Sequence, residues 1–161
     1  NAYIDDLCNR CICLWARLSF LENYKLATCA WDSVVSCAFL SLLEGFSMVF
    51  VCSTEGRALM SMDLASFAAG VSFRAIKTNS EGIECRCLPP SMIPSIPNGM
   101  QYVDAVVKAF YFGEHDLMKW IKENRDSYRL EHCTALVISS VGGRRSAQYV
   151  NEMIDAVKLL Y

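Results

Sequence analysis

Histidine is scarce in this chain, with two in 161 residues, and the four prolines are confined to one stretch. His115 and His132 stand in no motif that supplies a nucleophile, a paired carboxylate or a metal-ligand spacing, so both read as surface or cap residues. Pro89, Pro90, Pro94 and Pro97 fall, with Asn79, Gly82, Asn98 and Gly99, inside a predicted loop over residues 77–99. An excess of positive charge is also missing. The formal net charge is −2, with both signs mixed along the chain, so the sustained basic field that nucleic-acid binding needs is absent and no nucleic-acid partner is expected. There is no basic n-region ahead of a short apolar stretch, and Asn1 stands where a starting Met would. The chain therefore reads as a fragment of a larger protein, without a signal peptide.

What is abundant is apolar. Hydrophobic residues make up 53% of the chain, enough to bury a sizeable core, and one helical domain over 1–161 is the expected organisation. Nine cysteines form an odd set lying mostly inside apolar helical patterns, which suits reduced thiols packed as small hydrophobes in a cytosolic compartment. A secreted disulfide scaffold would show an even count among turn residues in a shorter chain.

The apolar positions recur at helical spacing almost throughout. Ile4, Leu7, Cys8, Cys11, Leu14 and Leu18 define a first helix. Residues 26–52 contain no proline and only Gly45 as a weak breaker, predicting a long second helix through Trp31, Val34, Val35, Cys37, Ala38, Phe39 and Leu42 that is apolar on most sides. Ser53 and Thr54 can cap a third, with Glu55 in its first turn and Met60, Leu64, Phe67, Ala68 and Val71 on one face. Val103, Val106, Val107, Phe110 and Tyr111 mark a fourth, ended by Gly113, and Leu117, Trp120 and Ile121 a fifth. Ser127 is placed to cap a sixth helix running to Gly142-Gly143, and Ser146 a seventh. The only competing strand pattern, Leu136-Val137-Ile138, is too short. The expectation is an all-α fold, an irregular bundle of about seven helices.

Residues 33–52 approach the length that spans a bilayer, but they contain Glu44 and lack flanking basic clusters or aromatic belts. A carboxylate at a membrane centre costs on the order of 3 kcal/mol, so a buried central helix is the preferred reading and an integral membrane segment the alternative.

No catalytic, cofactor-binding or metal site emerges, and the chain does not read as an enzyme. Cys8-x-x-Cys11 could share a zinc ion or exchange a disulfide, and a cysteine-based redox or zinc-binding protein is the alternative function. Its second pair, Cys85-x-Cys87, is too tightly spaced for a knuckle, and Cys8 and Cys11 share a buried helical face in any case. Gly142-Gly143-Arg144-Arg145 precedes a helix as an anion-binding turn would, yet lacks the glycine spacing and Lys-Ser/Thr of a Walker loop. Lys119, Lys122, Arg125 and Arg129 are interleaved with Glu123, Asp126 and Glu131, which makes a mixed solvated face. Glu55, Arg57, Asp63, Arg144 and Arg145 remain as contacts either with a partner or within the bundle. A cap or an internal ion pair is the expected use of Arg57 and Asp63.

The segment Cys52-Ser-Thr-Glu-Gly-Arg-Ala-Leu-Met-Ser-Met-Asp63, preceded by a Trp-containing helix ending in Glu44-Gly45, resembles the C-terminal region of the syndetin family. Residues 102–126, a helix, an acidic turn and a Trp-Ile-Lys-Glu helix, resemble a second block of that family. The resemblance implies a stacked helical-bundle rod in a subunit of the endosome-associated recycling (EARP) vesicle tethering complex, acting in endosomal recycling and retrograde traffic. It implies as partners the other subunits of the tethering complex and membrane-fusion (SNARE) proteins. The implied location is cytoplasmic, peripheral on recycling endosomes or trans-Golgi network membranes. It carries over no catalytic residues and no cofactor.

Overall fold

The computed structural model describes residues 1–72 and 98–161. These form seven α-helices: α1 Ala2–Leu18, α2 Tyr24–Ser47, α3 Thr54–Ser72, α4 Asn98–Ala109, α5 Glu114–Asn124, α6 Leu130–Val141 and α7 Ala147–Lys158. There is no strand among the described residues, and Leu136-Val137-Ile138 lies inside α6. The fold is the expected all-α bundle. Of the predicted 77–99 loop, residues 77–97 lie outside the described residues, while Asn98 and Gly99 open α4.

The chain divides into two compact units, one of Asn1–Phe39 and Asp63–Met100, the other of Leu40–Met62 and Gln101–Tyr161. Helices α2 and α3 each contribute residues to both.

In the first unit, α2 buries Ala27, Trp31, Val35 and Phe39, one residue per turn, and exposes Lys25, Cys29 and Ser33. The expected central helix is thus buried along a stripe, not on most sides. By length and composition Lys25–Ser47 could still cross a membrane, with mean hydropathy 1.6 over its most apolar window. Phe39 meets Phe67 of α3 edge to face at 4.9 Å, and Trp15 of α1 meets Trp31 of α2 at 5.5 Å, the offset geometry that aromatic quadrupoles favour. Ile4, Cys11 and Ala16 supply the buried face of α1. Asp63 accepts hydrogen bonds from Asn1 Nδ2 at 2.9 and 3.1 Å and from the Tyr3 hydroxyl, fixing the start of α1 to α3.

Helices α1 and α3 approach closely because α3 carries no side chain at Gly70. A Cβ there would overlap the Cys8 thiol. Gly70→Ala is therefore expected to destabilise the protein by about 1–3 kcal/mol, the cost of inserting a methyl into a packed contact, despite alanine's better helix propensity. A lowered urea midpoint would show it. A Gly70→Ala, Cys8→Ala double variant, with room restored, should recover much of the loss.

In the second unit, α6 packs along α7 and α5 touches both. Val103, Val106 and Val107 of α4 and Phe110 just after it join Leu117 and Ile121 of α5, Cys133, Leu136, Val137 and Val141 of α6, and Val150, Met153 and Val157 of α7 in the core. Leu42, Leu43 and Phe46 continue the buried stripe of α2 into this unit.

Several helix ends differ from the sequence reading. α2 stops at Ser47, where Met48 and Val49 N–H groups reach back to Gly45 and Phe46 carbonyls three residues away, tightening the last turn. The β-branched Val49 and Val51 then lead to Ser53, whose hydroxyl accepts from Gly56 N–H at 3.0 Å and caps α3 as expected. Gly113 does not end α4, which closes at Ala109; its extended backbone (φ −64°, ψ 158°) makes it the N-cap of α5. Ser127 does not cap α6. Both Ser127 and Tyr128 N–H groups bond the Asn124 carbonyl in a turn, and the N-cap is Arg129, whose N–H donates to the Tyr102 hydroxyl at 2.9 Å. Gly142 closes α6 and Ser146 caps α7 through Tyr149 N–H at 3.3 Å, both as predicted.

Candidate functional site

The segment 52–63 opens α3, and its charges have different environments. Glu55 is exposed in the first turn, where its own backbone N–H and the Ser53 hydroxyl lower its carboxyl below the ordinary range. Arg57, one turn after the cap, is 3% exposed. Its guanidinium lies 4.2 Å from the centre of the Phe110 ring and donates from Nη2 to Ser139 Oγ at 3.0 Å. Its Nε is buried with no hydrogen-bond partner, and among the described residues no carboxylate forms an ion pair with it. Where a cap or an internal ion pair was expected at Arg57, the side chain meets an aromatic face and a neutral hydroxyl within the bundle. Burial accordingly pulls the guanidinium below its usual value, against the opposing influence of Cys52 and Tyr111. Asp63 is used within the first unit by Asn1 and Tyr3.

Arg144 is exposed, and its N–H bonds the Val141 carbonyl. Arg145 instead makes a two-pronged pair with Glu114, Nε to Oε1 at 2.8 Å and Nη2 to Oε2 at 3.3 Å, while Tyr149 donates to Glu114 Oε2 at 2.9 Å. The arginine fork and the phenol together hold the Glu114 carboxyl below its ordinary range. This cluster ties α5 to the α6–α7 turn and borders a shallow groove lined by His115, Met118, Glu152 and Met153. Lys119 pairs with Glu123 and Arg125 with Asp126, the mixed face read from the sequence.

His115 is exposed, as expected. His132 is not: it is 1% exposed on α6. The reason is a set of partners from distant elements. The Tyr102 hydroxyl, already accepting from Arg129 N–H, sits 2.8 Å from Nδ1, and Glu44 Oε1 lies 3.0 Å from Nε2. Since Tyr102 has one proton to give, a neutral ring takes it at Nδ1 and carries its own hydrogen on Nε2, donated to Glu44. Tyr102 also stacks on Tyr128 at 4.3 Å, and Trp120 tilts against Tyr128 at 4.8 Å. A sequence signal existed. His132 lies beside Cys133 and one turn before Leu136, on the apolar side of α6.

Burial raises the thiols of Cys8 and Cys11 above the ordinary range, the opposite of what a redox nucleophile needs. Among the described residues no three His, Cys, Asp or Glu side chains gather as metal ligands would. Cys133, Tyr102, Tyr128 and Tyr161 are likewise held neutral, chiefly by burial. An unfolded chain gives up these protons at lower pH than the folded one, so it binds fewer protons and the folded state loses stability as pH rises. Urea midpoints are expected to fall progressively above about pH 9, where ordinary thiols and then phenols ionise. A midpoint unchanged between pH 8 and pH 11 would contradict that burial.

The family model for the C-terminal region of syndetin matches residues 1–158. The chain belongs to the syndetin C-terminal family. Syndetin of Gallus gallus is 28% identical over 162 residues, covering 98% of this chain and 15% of that protein. Syndetins of Rattus norvegicus and Mus musculus are each 27% identical with the same coverage. The syndetin-like chain thus spans 15% of the length of these relatives. No solved structure matches it. The segment 52–63 that carried the resemblance is the one that lays Arg57 beneath Phe110, and the 102–126 block supplies Tyr102, Phe110, Glu114 and Trp120 to the clusters described above.

Proposed function

We propose that this chain is a non-catalytic module of a vesicle-tethering subunit, working in endosomal recycling and retrograde membrane traffic. The single observation that carries the proposal is the family match over residues 1–158. The physical character of the chain supports it. Its polar residues are spent on joining helices: Glu44 and Tyr102 on His132, Glu114 on Arg145, Asp63 on the start of α1. The proposed partners are the other subunits of the tethering complex and SNARE proteins, with peripheral recruitment from the cytoplasm to recycling endosomes or the trans-Golgi network.

Affinity purification of the full-length protein from its own cells tests this directly. Co-recovery of the other tether subunits, reduced on deletion of this 161-residue region, is the expected result. Recovery of the full-length protein free of those subunits would overturn the reading.

A further inference from the structure

The turn between α2 and α3 is made of apolar residues that the fold leaves outside. Met48, Val49, Phe50 and Val51 are each between 39% and 83% exposed, in a segment that is neither helix nor strand. Four consecutive exposed apolar side chains cost solubility, and a surface turn avoids them unless something covers them. The Met48 and Val49 N–H groups are already bonded to carbonyls of the last turn of α2, so carrying them out of bulk water leaves neither donor bare. The Tyr111 hydroxyl lies 3.5 Å from the Thr54 carbonyl, which brings the half-exposed Tyr111 and its neighbour Phe112 next to the start of α3, where the turn ends.

Shape and charge together select the occupant. Successive side chains diverge along a non-helical chain, and since all four are exposed, the apolar surface goes around the turn and does not lie on one face. A protein partner covers a face, whereas fluid hydrocarbon closes around a protrusion. No Asp, Glu, Lys or Arg stands between Glu44 and Glu55, so residues 45–54 can leave water without desolvating an ion. The charges that bound this segment are exposed carboxylates, which anionic headgroups repel, so the lipid that fits is zwitterionic. The rings of Phe50, Tyr111 and Phe112 suit the boundary between headgroups and acyl chains, where aromatic side chains concentrate.

We propose that Met48–Val51 inserts into the interfacial layer of a zwitterionic lipid bilayer, with Tyr111 and Phe112 beside it at headgroup depth. Glu44 and Glu55 stay on the water side and limit the depth of entry. This contact deepens the peripheral recruitment proposed above and rests on that reading for its setting.

The intact protein is sedimented with phosphatidylcholine vesicles, and amide hydrogen exchange is followed by mass spectrometry with and without them. Co-sedimentation is expected, with slower exchange over residues 48–52 and 111–112 and no change over 159–161. Phe50→Asp and Val51→Asp, at positions open to solvent and therefore compatible with folding, should each lower vesicle partitioning about tenfold, the factor that one buried apolar side chain carries. Leu159→Asp, the same kind of change at a residue 88% exposed after α7, should leave it unchanged. No co-sedimentation with phosphatidylcholine, binding that requires anionic lipid, or binding that Phe50→Asp leaves intact each overturns the proposal. So does a dimer in ultracentrifugation that Val51→Asp dissociates, which would assign the turn to a second copy. Loss of vesicle binding with the tether subunits still co-recovered removes this contact alone, so the two readings fail separately.

Discussion

Phe39→Ala is expected to lower the stability of the protein by about 3–5 kcal/mol, the range for removing a fully buried aromatic side chain. Phe39 is 0% exposed and sits in the run Ala27, Trp31, Val35, Phe39, Leu43, at which α2 turns one face inward. Its ring has a fixed partner, Phe67 of α3, at 4.9 Å and 71°. Its Cβ lies 3.3 Å from where a Cβ of Gly99 would stand, so α4 begins against it without a side chain between. Truncation removes the transfer free energy of the ring and leaves a cavity beside the Phe67 ring in a close-packed interior. Urea titration followed by circular dichroism measures it, and the midpoint should fall with little change in slope. Phe39→Leu, which keeps most of the volume, should lose far less. A loss under about 1 kcal/mol for Phe39→Ala would mean that α2 does not bury this stripe.

That α2 is a helix was legible in the sequence from local spacing, but which side it buries was not, because apolar residues stand on most of its sides. Ser53, Gly142 and Ser146 were legible as helix ends because they act on neighbours within one turn. What the sequence hid depends on partners far along the chain. Ser127 has the chemistry of a cap, but α6 starts at Arg129 because a tyrosine from α4 takes the Arg129 N–H. Arg57 was visible as a charge in an apolar setting. That its neighbour is the face of Phe110, and not a carboxylate, could only come from the packing of α3 against α4. The same holds for Glu114, whose acidic position at the start of α5 suits the helix dipole and concealed its second use in gripping Arg145.

His132 is where the hidden class of contact carries the most energy. His132→Ala is expected to destabilise the protein by about 2–4 kcal/mol, the sum of a lost core side chain and a half-buried hydroxyl left without its acceptor. The imidazole is 1% exposed and joins three helices: α6 carries it, α4 reaches it through Tyr102 at 2.8 Å, and α2 through Glu44 at 3.0 Å. Glu44 is 57% exposed and can turn to water or to Arg129, 3.9 Å away, so its loss is small. Tyr102 is stacked on Tyr128 and still held by Arg129 N–H, so its hydroxyl cannot turn away without breaking the start of α6. Most of the penalty should therefore run through Tyr102. A double-mutant cycle separates the two arms: His132→Ala with Tyr102→Phe should show coupling of about 1–2 kcal/mol, and His132→Ala with Glu44→Gln a smaller one. Equal coupling on both arms would place the weight of the cluster on Glu44. A His132→Ala variant as stable as the parent would show that α2, α4 and α6 meet without it.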